Sequence, residues 1–119
     1  FRIAKTQCAE IFEICNTRGW NRVALHGLTD IAEIAVLSAA NANIQIVGVI
    51  DPSSSLDSYA GAPVVDAFDK LSGVDAVVIT DLGKPQLGYD RMVSLLSAAR
   101  VFAPGILNVT EATDNAGDR

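Results

Sequence analysis

The chain is poor in the residues that mark several classes of protein. It has two cysteines, one histidine, one methionine and one tryptophan, and only 6% of its residues are aromatic. Two cysteines, Cys8 and Cys15, cannot build a disulfide framework, and on one helix they would lie roughly 10 Å apart, too far for a bridge. A single histidine, His26, leaves no metal-ligand cluster and no Ser/His/Asp set to assemble. We therefore expect two buried thiols in a reducing, cytoplasmic setting.

Long apolar runs and an excess of positive charge are also missing. No apolar stretch reaches the roughly 20 residues of a membrane span, and no secretory signal pattern is present. With 9 basic and 14 acidic residues, the formal net charge is −5. That charge argues against direct nucleic-acid binding, which depends on neutralised phosphates. The 119 residues, half of them hydrophobic, suit one core-rich domain, and a start at Phe1 suggests a longer parent polypeptide.

What the chain does contain is a regular alternation of strand-like and helix-like segments. The apolar patterns predict helices over residues 5–17, from Thr29 or Asp30 to about 41–43 and from Pro85, with one or two short helical turns over 66–72. They predict strands over residues 22–26, 44–50, 62–65, 74–80 and 100–103. This alternation predicts an α/β, three-layer Rossmann-like fold with a five-stranded parallel sheet of order 3-2-1-4-5 and an extra N-terminal helix. We expect a linking helix at 1–19, the nucleotide-binding domain at 20–110 and a polar, frayed tail at 111–119.

The order of strand, glycine, helix, strand and acid is the layout of a dinucleotide-binding βαβ unit. Gly27 follows the first predicted strand, and Asp51 follows the second. In such sheets the ligand lies over the carboxyl ends of the central strands, here strands one and four. The predicted rim of this site consists of Gly27, Leu28, Thr29, Asp30, Ile31, Asp51, Pro52, Ser53, Thr80, Asp81 and Leu82.

The glycine fingerprint of this unit is incomplete. Thr29 and Ala32 stand where the second and third glycines are expected, and a side chain at Thr29 obstructs the approach of a pyrophosphate. Asp30 competes with a phosphate for the amides at the helix N-terminus. Asp51 suits a ribose 2′-hydroxyl and disfavours a 2′-phosphate, which favours NAD(H) over NADP(H). Two alternatives stay open: a working nucleotide site, or an inherited scaffold whose site is weakened, retuned or lost.

The sequence shows no catalytic constellation. We expect His26 to be a half-buried histidine satisfied by the backbone, and Asp81 to cap the helix that begins near Pro85. Hydride transfer needs a positioned acceptor as well as a cofactor. The prediction is therefore a chain that binds its ligand without turning it over, and so is not an enzyme.

The same segments resemble known families. Residues 20–27, 46–51, 61–64, 75–80 and 102–104 resemble the NAD(H)-binding half of Rex-type redox-sensing repressors and the C-terminal half of MarR-like regulators associated with exopolysaccharide clusters. They are also similar to the Rossmann-like modules of bacterial sugar-nucleotide dehydratases and sugar acetyltransferases. The resemblance covers about residues 20–104.

The resemblance to regulators implies a non-catalytic, ligand-sensing effector domain of a bacterial transcriptional regulator, with NAD(H) or a sugar-nucleotide as its ligand. It implies that residues 27–31 hold the pyrophosphate, Asp51 the adenosine ribose and residues 80–82 the nicotinamide half. DNA contact would belong to an upstream module. The alternatives are a nucleotide-binding fragment of a sugar-nucleotide-modifying enzyme and a ligand-free dimerisation scaffold. A homodimer through the first helix is expected, because its Ile11/Phe12 stripe needs a partner surface.

Overall fold

The computed structural model describes residues 2–112, which form three α-helices and six strands. The seven tail residues 113–119 lie outside the described residues, so most of the predicted polar tail does too. The elements follow the chain in the order α1 Arg2–Thr17, β1 Arg22–His26, α2 Asp30–Asn41, β2 Gln45–Ile50, β3 Ser58–Tyr59, β4 Ala62–Val65, β5 Ala76–Ile79, α3 Pro85–Leu95 and β6 Val101–Phe102. Short 3₁₀ turns at Phe68–Lys70, Ala98–Arg100 and Gly105–Leu107 complete the connections.

The strands form one mixed sheet of order β3-β4-β2-β1-β5-β6. All neighbouring pairs are parallel except β3 and β4, which are antiparallel. The α/β class is therefore confirmed, but the prediction of a five-stranded, all-parallel sheet is wrong in size and in order, since β3 adds a sixth strand beyond β4. Ala60 and Gly61, which connect β3 to β4, both adopt positive φ, the geometry of a tight two-residue hairpin turn. Pro63, which suggested an edge position for its strand, instead pairs with Ser58 of β3.

The core has two parts, one on each face of the sheet. On one face, α1 and α2 pack over Val23 and Leu25 of β1. On the other face, α3 packs over Ala24 of β1 and Val77 of β5. The alternation of neighbouring β1 residues between the two clusters follows from the two-residue period of a strand. The result is a three-layer arrangement with β1 at its centre.

The first helix packs into this core through its apolar face. Its Ile11 and Phe12 are 8% and 0% exposed and belong to the cluster that includes Ala35 and Ala39 of α2. The expectation that this stripe needs a second chain is therefore wrong, because α2 and the sheet already cover it. Cys8 and Cys15 are free thiols in the same cluster, as predicted, and burial raises the pKa of each to about 11.

Local signals set the ends of the helices. The first helix begins at Arg2 and ends before Gly19, whose positive φ allows the Trp20 amide to reach back to the Cys15 carbonyl at 2.8 Å. Thr29 caps α2, since its hydroxyl accepts the Ile31 amide at 3.1 Å. Pro85 occupies the first turn of α3, where a missing amide hydrogen breaks no hydrogen bond of the helix.

Among the described residues, no helix combines the length and the apolar character needed to cross a membrane.

Candidate functional site

A crevice of about 390 Å³ opens over the carboxyl ends of the central strands. The ends of β1, β2 and β5 contribute to it, and so does the first half of α3. The helix that follows β1 and the helix that follows β5 pack on opposite faces of the sheet. Such a divergence of the connections creates the ligand-binding crevice of open α/β sheets. Its lining residues are His26, Gly27, Ile50, Asp51, Pro52, Ser53, Asp81, Gly83, Lys84, Leu87, Gly88 and Arg91.

Gly27 sets the floor of the crevice. Its φ of +115° belongs to a region that favours glycine, and a β-carbon at this position would lie 2.6 Å from the Asp81 Cα and amide nitrogen. The chain after β1 therefore lies directly against the chain after β5. The Thr80 hydroxyl, fully buried, donates to the Gly27 carbonyl at 2.5 Å and fastens the two segments together.

Thr29 does not stand free in the loop. Its hydroxyl donates to the Thr80 carbonyl at 2.5 Å while it accepts the Ile31 amide. The side chain is thus held against the end of β5 and the first turn of α2. Two hydrogen bonds therefore fix the hydroxyl toward the protein.

Asp51 joins the end of β2 to the loop after β1. One carboxylate oxygen accepts the Leu28 amide at 2.8 Å. The other accepts the Ser53 amide at 2.9 Å and the Ser53 hydroxyl at 2.7 Å. Partial burial by itself raises the pKa of Asp51, but the hydrogen bonds from Ser53 and Leu28 outweigh it and lower that pKa. Asp51 is therefore a carboxylate at neutral pH, with an environment built for the charged form.

Asp81 organises the entrance to α3. Its two carboxylate oxygens accept the Gly83 amide at 3.0 Å and the Lys84 amide at 3.3 Å. The helix itself begins at Pro85, with Lys84 as its N-cap residue, so Asp81 stabilises the preceding turn. Leu82, on the same turn, is 51% exposed and lies outside the crevice lining.

His26 is half-buried in the crevice wall, as predicted. Its Nδ1 atom is buried and has no hydrogen-bond partner within residues 2–112, so the backbone partner expected for the ring is not found at this atom. The ring packs on Gly88 so closely that a β-carbon there would lie 2.8 Å from Nδ1. Burial lowers the pKa of His26, and the nearby Arg91 lowers it further, while Asp81, a backbone hydrogen bond and Asp51 act in the opposite direction.

The crevice brings together some of the predicted residues and not others. Gly27, Asp51, Pro52, Ser53 and Asp81 line it. The remaining six do not: Leu28, Thr29, Ile31 and Thr80 take part in the supporting hydrogen bonds, whereas Asp30 and Leu82 are exposed.

Sequence reasoning missed the wall contributed by α3. Lys84, Leu87, Gly88 and Arg91 stand at positions i, i+3, i+4 and i+7, which places them on one side of the helix. The buried residues of the same helix include Tyr89 and Met92, whose apolar side chains mark the face that packs on the sheet and give no indication of the crevice wall. The sequence did contain a signal for this wall, because Lys84 and Arg91 lie at helical spacing on either side of Gly88.

Acidification is expected to destabilise the protein through His26. The native pKa of His26 is lowered, so below the unfolded value of about 6.5 the unfolded state binds more protons than the native state. The stabilisation is fully present above that value and is lost as the pH falls toward the native pKa. Urea denaturation should therefore give a smaller free energy of unfolding at pH 5 than at pH 7.

The variant His26→Asn is the control for this prediction. His26 is the only histidine of the chain, so no other side chain ordinarily titrates between pH 5 and 7. The variant should lose most of the pH dependence in that interval. If the free energy of unfolding changed with pH by the same amount in the wild-type protein and the variant, His26 would not be the cause of the pH dependence.

Comparison with known proteins gives short matches. No family model matches the chain. It is 34% identical over 50 residues to 4-hydroxy-tetrahydrodipicolinate reductase from Streptococcus sanguinis, which is 42% of this chain and 20% of that protein. It is 36% identical over 47 residues to the enzyme of the same name from Streptococcus gordonii, which is 40% of this chain and 18% of that protein. The matched segment thus spans about a fifth of each relative.

Both relatives are reductases. This finding contradicts the prediction that the chain is not an enzyme, because the proteins that it resembles catalyse a reaction. With the α/β sheet, the matches support a Rossmann-like domain of the kind that binds nucleotides. They do not extend to Rex-type repressors or to MarR-like regulators.

Proposed function

We propose that this chain is the nicotinamide-nucleotide-binding domain of a reductase, with NAD(H) as its cofactor. The observation that carries the proposal is the crevice over β1, β2 and β5, with Gly27 on its floor and Asp51 on its rim. The similarity to two reductases supports it. A role as the effector domain of a transcriptional regulator stays a prediction from the sequence.

The floor of the crevice fits a dinucleotide. Gly27 keeps the floor free of side-chain atoms at the position where a β-carbon would meet Asp81. The N-terminus of α2, which begins at Asp30, lies immediately beyond it and favours negative charge. Since Thr29 is bound back to Thr80, the phosphates can approach this helix end without displacing its hydroxyl.

The rim supplies one group for the ribose and two for the phosphates. The Asp51 carboxylate accepts three hydrogen bonds from the protein, and a carboxylate has about four acceptor sites, so one remains for a ribose hydroxyl. Its negative charge opposes a 2′-phosphate, which favours NADH over NADPH. Lys84 and Arg91, on the α3 side of the same crevice, supply the positive charge that a pyrophosphate requires in a chain of net charge −5.

His26 shapes the wall of the crevice next to α3. Its ring packs on Gly88 and its Nδ1 is buried against that glycine, so His26 contributes the form of the wall and not a hydrogen bond to the ligand. The bound dihydronicotinamide would supply the hydride for reduction. The residues of this chain would bind and orient the cofactor.

Fluorescence titration and calorimetry with NADH, NADPH, ADP-ribose and a UDP-sugar test this proposal. We expect saturable binding of NADH and ADP-ribose, and weaker binding of NADPH. The charge-neutralising variants Lys84→Gln and Arg91→Gln should each weaken NADH binding about 5- to 30-fold, since a hydrogen bond to a charged group contributes about 1–2 kcal/mol at a partly exposed site. Lys70→Gln is the matched control, because Lys70 is exposed and does not line the crevice.

Three results would contradict the proposal. One is the absence of saturable binding by any nicotinamide nucleotide. Another is tight binding of the UDP-sugar alone, which would favour a sugar-nucleotide ligand. The last is NADH binding that Lys84→Gln, Arg91→Gln and Lys70→Gln leave equally unchanged.

A further inference from the structure

A second concave surface, separate from the crevice, lies between α1 and α2. This groove encloses about 1190 Å³, about three times the volume of the crevice. Its walls include Ala9 of α1 and both Ile34 and Leu37 of α2, and Leu37 is 64% exposed. An exposed leucine beside a groove of this size leaves apolar surface in water, which is typical of an interaction site.

On the α1 wall of the groove, basic and acidic side chains lie towards opposite ends of the helix. Arg2 and Lys5 lie at its amino-terminal end, and Glu10 and Glu13 lie nearer its carboxyl-terminal end. The groove residues Lys5, Ala9 and Glu13 are four positions apart, so they form one row along the helix. The small side chain of Ala9 stands in the middle of this row.

The charges of this row are complementary to those of a second copy of the row that runs in the opposite direction. If a second α1 lies antiparallel to the first, with a two-fold axis at Ala9, Lys5 of each helix faces Glu13 of the other, and Ala9 faces Ala9. The two basic and two acidic residues on the α1 wall of the groove are balanced in number, although the whole chain carries a net charge of −5. A partner with one sign of charge would be repelled at one end of the row. A reversed copy of the same helix is attracted at both ends.

We propose that the chain forms a two-fold symmetric homodimer in which antiparallel α1 helices pack across this groove. Ala9 permits close approach at the axis, and Leu37 of each copy covers apolar surface of the other. The surface differs from the Ile11/Phe12 stripe, which is buried within the chain. The proposal does not depend on nucleotide binding, because the groove and the crevice share no lining residue.

Sedimentation velocity over a range of protein concentrations, with charge-reversal variants, tests the dimer. Lys5→Glu and Glu13→Lys should each raise the dimer dissociation constant about tenfold or more, because each places like charges across the axis. The double variant Lys5→Glu/Glu13→Lys should restore it to within about threefold of the wild-type value, since the pairs are re-formed with exchanged signs. Leu37→Glu should weaken the dimer, whereas Leu95→Glu should not, because Leu95 is similarly exposed (61%) but lies on α3.

Circular dichroism and urea denaturation of each variant separate loss of the dimer from loss of the fold. The proposal is overturned if the wild-type protein stays monomeric at the highest concentration. It is equally overturned if the dimer forms but the two single charge reversals leave it intact, or if the double variant fails to recover it while remaining folded. Recovery in the double variant supports the antiparallel pairing of Lys5 with Glu13.

Discussion

Replacing Gly27 with alanine should lower the free energy of unfolding by about 3–5 kcal/mol. The alanine methyl group would lie 2.6 Å from the Asp81 Cα and amide nitrogen, so β1 and β5 would have to separate where the Thr80 hydroxyl now joins them. The left-handed backbone at φ +115° adds a conformational cost of about 1–2 kcal/mol for a residue with a side chain. Urea denaturation, with the midpoint and slope both fitted, measures the loss.

Gly61→Ala is the matched control for this experiment. Gly61 also has positive φ, but a β-carbon there would meet no atom of residues 2–112 within 4 Å. This variant should lose only the conformational cost, about 1–2 kcal/mol. If the two variants were equally stable, the close approach of Gly27 to Asp81 would not be a determinant of the fold, and the floor of the crevice would be wrongly described.

Replacing Asp51 with alanine should have the second-largest effect, on both stability and ligand binding. The variant removes the carboxylate that accepts the amides of Leu28 and Ser53, at an expected cost of about 1–3 kcal/mol. It also frees the loop after β1 and removes the proposed acceptor for the ribose hydroxyl. Calorimetry should show NADH binding weakened by about tenfold or more, with a smaller preference over NADPH.

The matched control is Asp69→Ala, which removes the same charge at an exposed position outside the crevice. It should leave stability within about 0.5 kcal/mol of the wild-type value and NADH binding unchanged. The lowered pKa of Asp51 also predicts that its stabilisation is present above the unfolded value of about 3.9 and is lost as the pH falls through the native pKa. NADH binding by Asp51→Ala equal to that of wild type would exclude the proposed role of this carboxylate.

Much of the fold could be predicted from sequence because the central strands carry strong local signals. Apart from Gln45, every residue from 44 to 50 is apolar or glycine, which fits a strand buried between two helical layers. The first helix was evident from the spacing of Cys8, Ile11, Phe12 and Cys15. What covers a helix face depends on tertiary packing, so the same spacing could not show that α2, rather than a second chain, covers Ile11 and Phe12.

The short antiparallel strand β3 could not be predicted in the same way. It contains two residues, Ser58 and Tyr59, and two residues establish no period. Its turn uses Ala60 at φ +53°, a position where asparagine or glycine is the usual signal. The backbone geometry forms here in spite of the local sequence preference, because the pairing with β4 holds it.

The candidate site was predictable in its β-strand half and not in its helical half. Gly27 and Asp51 follow directly from strand ends, where parallel strands place functional groups. Lys84 and Arg91 reach the crevice only because α3 packs with Gly88 against His26. That contact joins residues 62 positions apart in the chain, and a sequence pattern along one helix does not reveal it.

Mapping NADH onto the protein by amide chemical shifts tests the central claim most directly. The claim is that a nicotinamide nucleotide binds over the carboxyl ends of β1, β2 and β5. During a titration of the ¹⁵N-labelled chain with NADH, the largest shifts should cluster at Gly27, Asp51, Ser53, Gly83 and Gly88 and saturate together. Saturable shifts centred on the groove between α1 and α2, or no saturable shifts at all, would contradict the account.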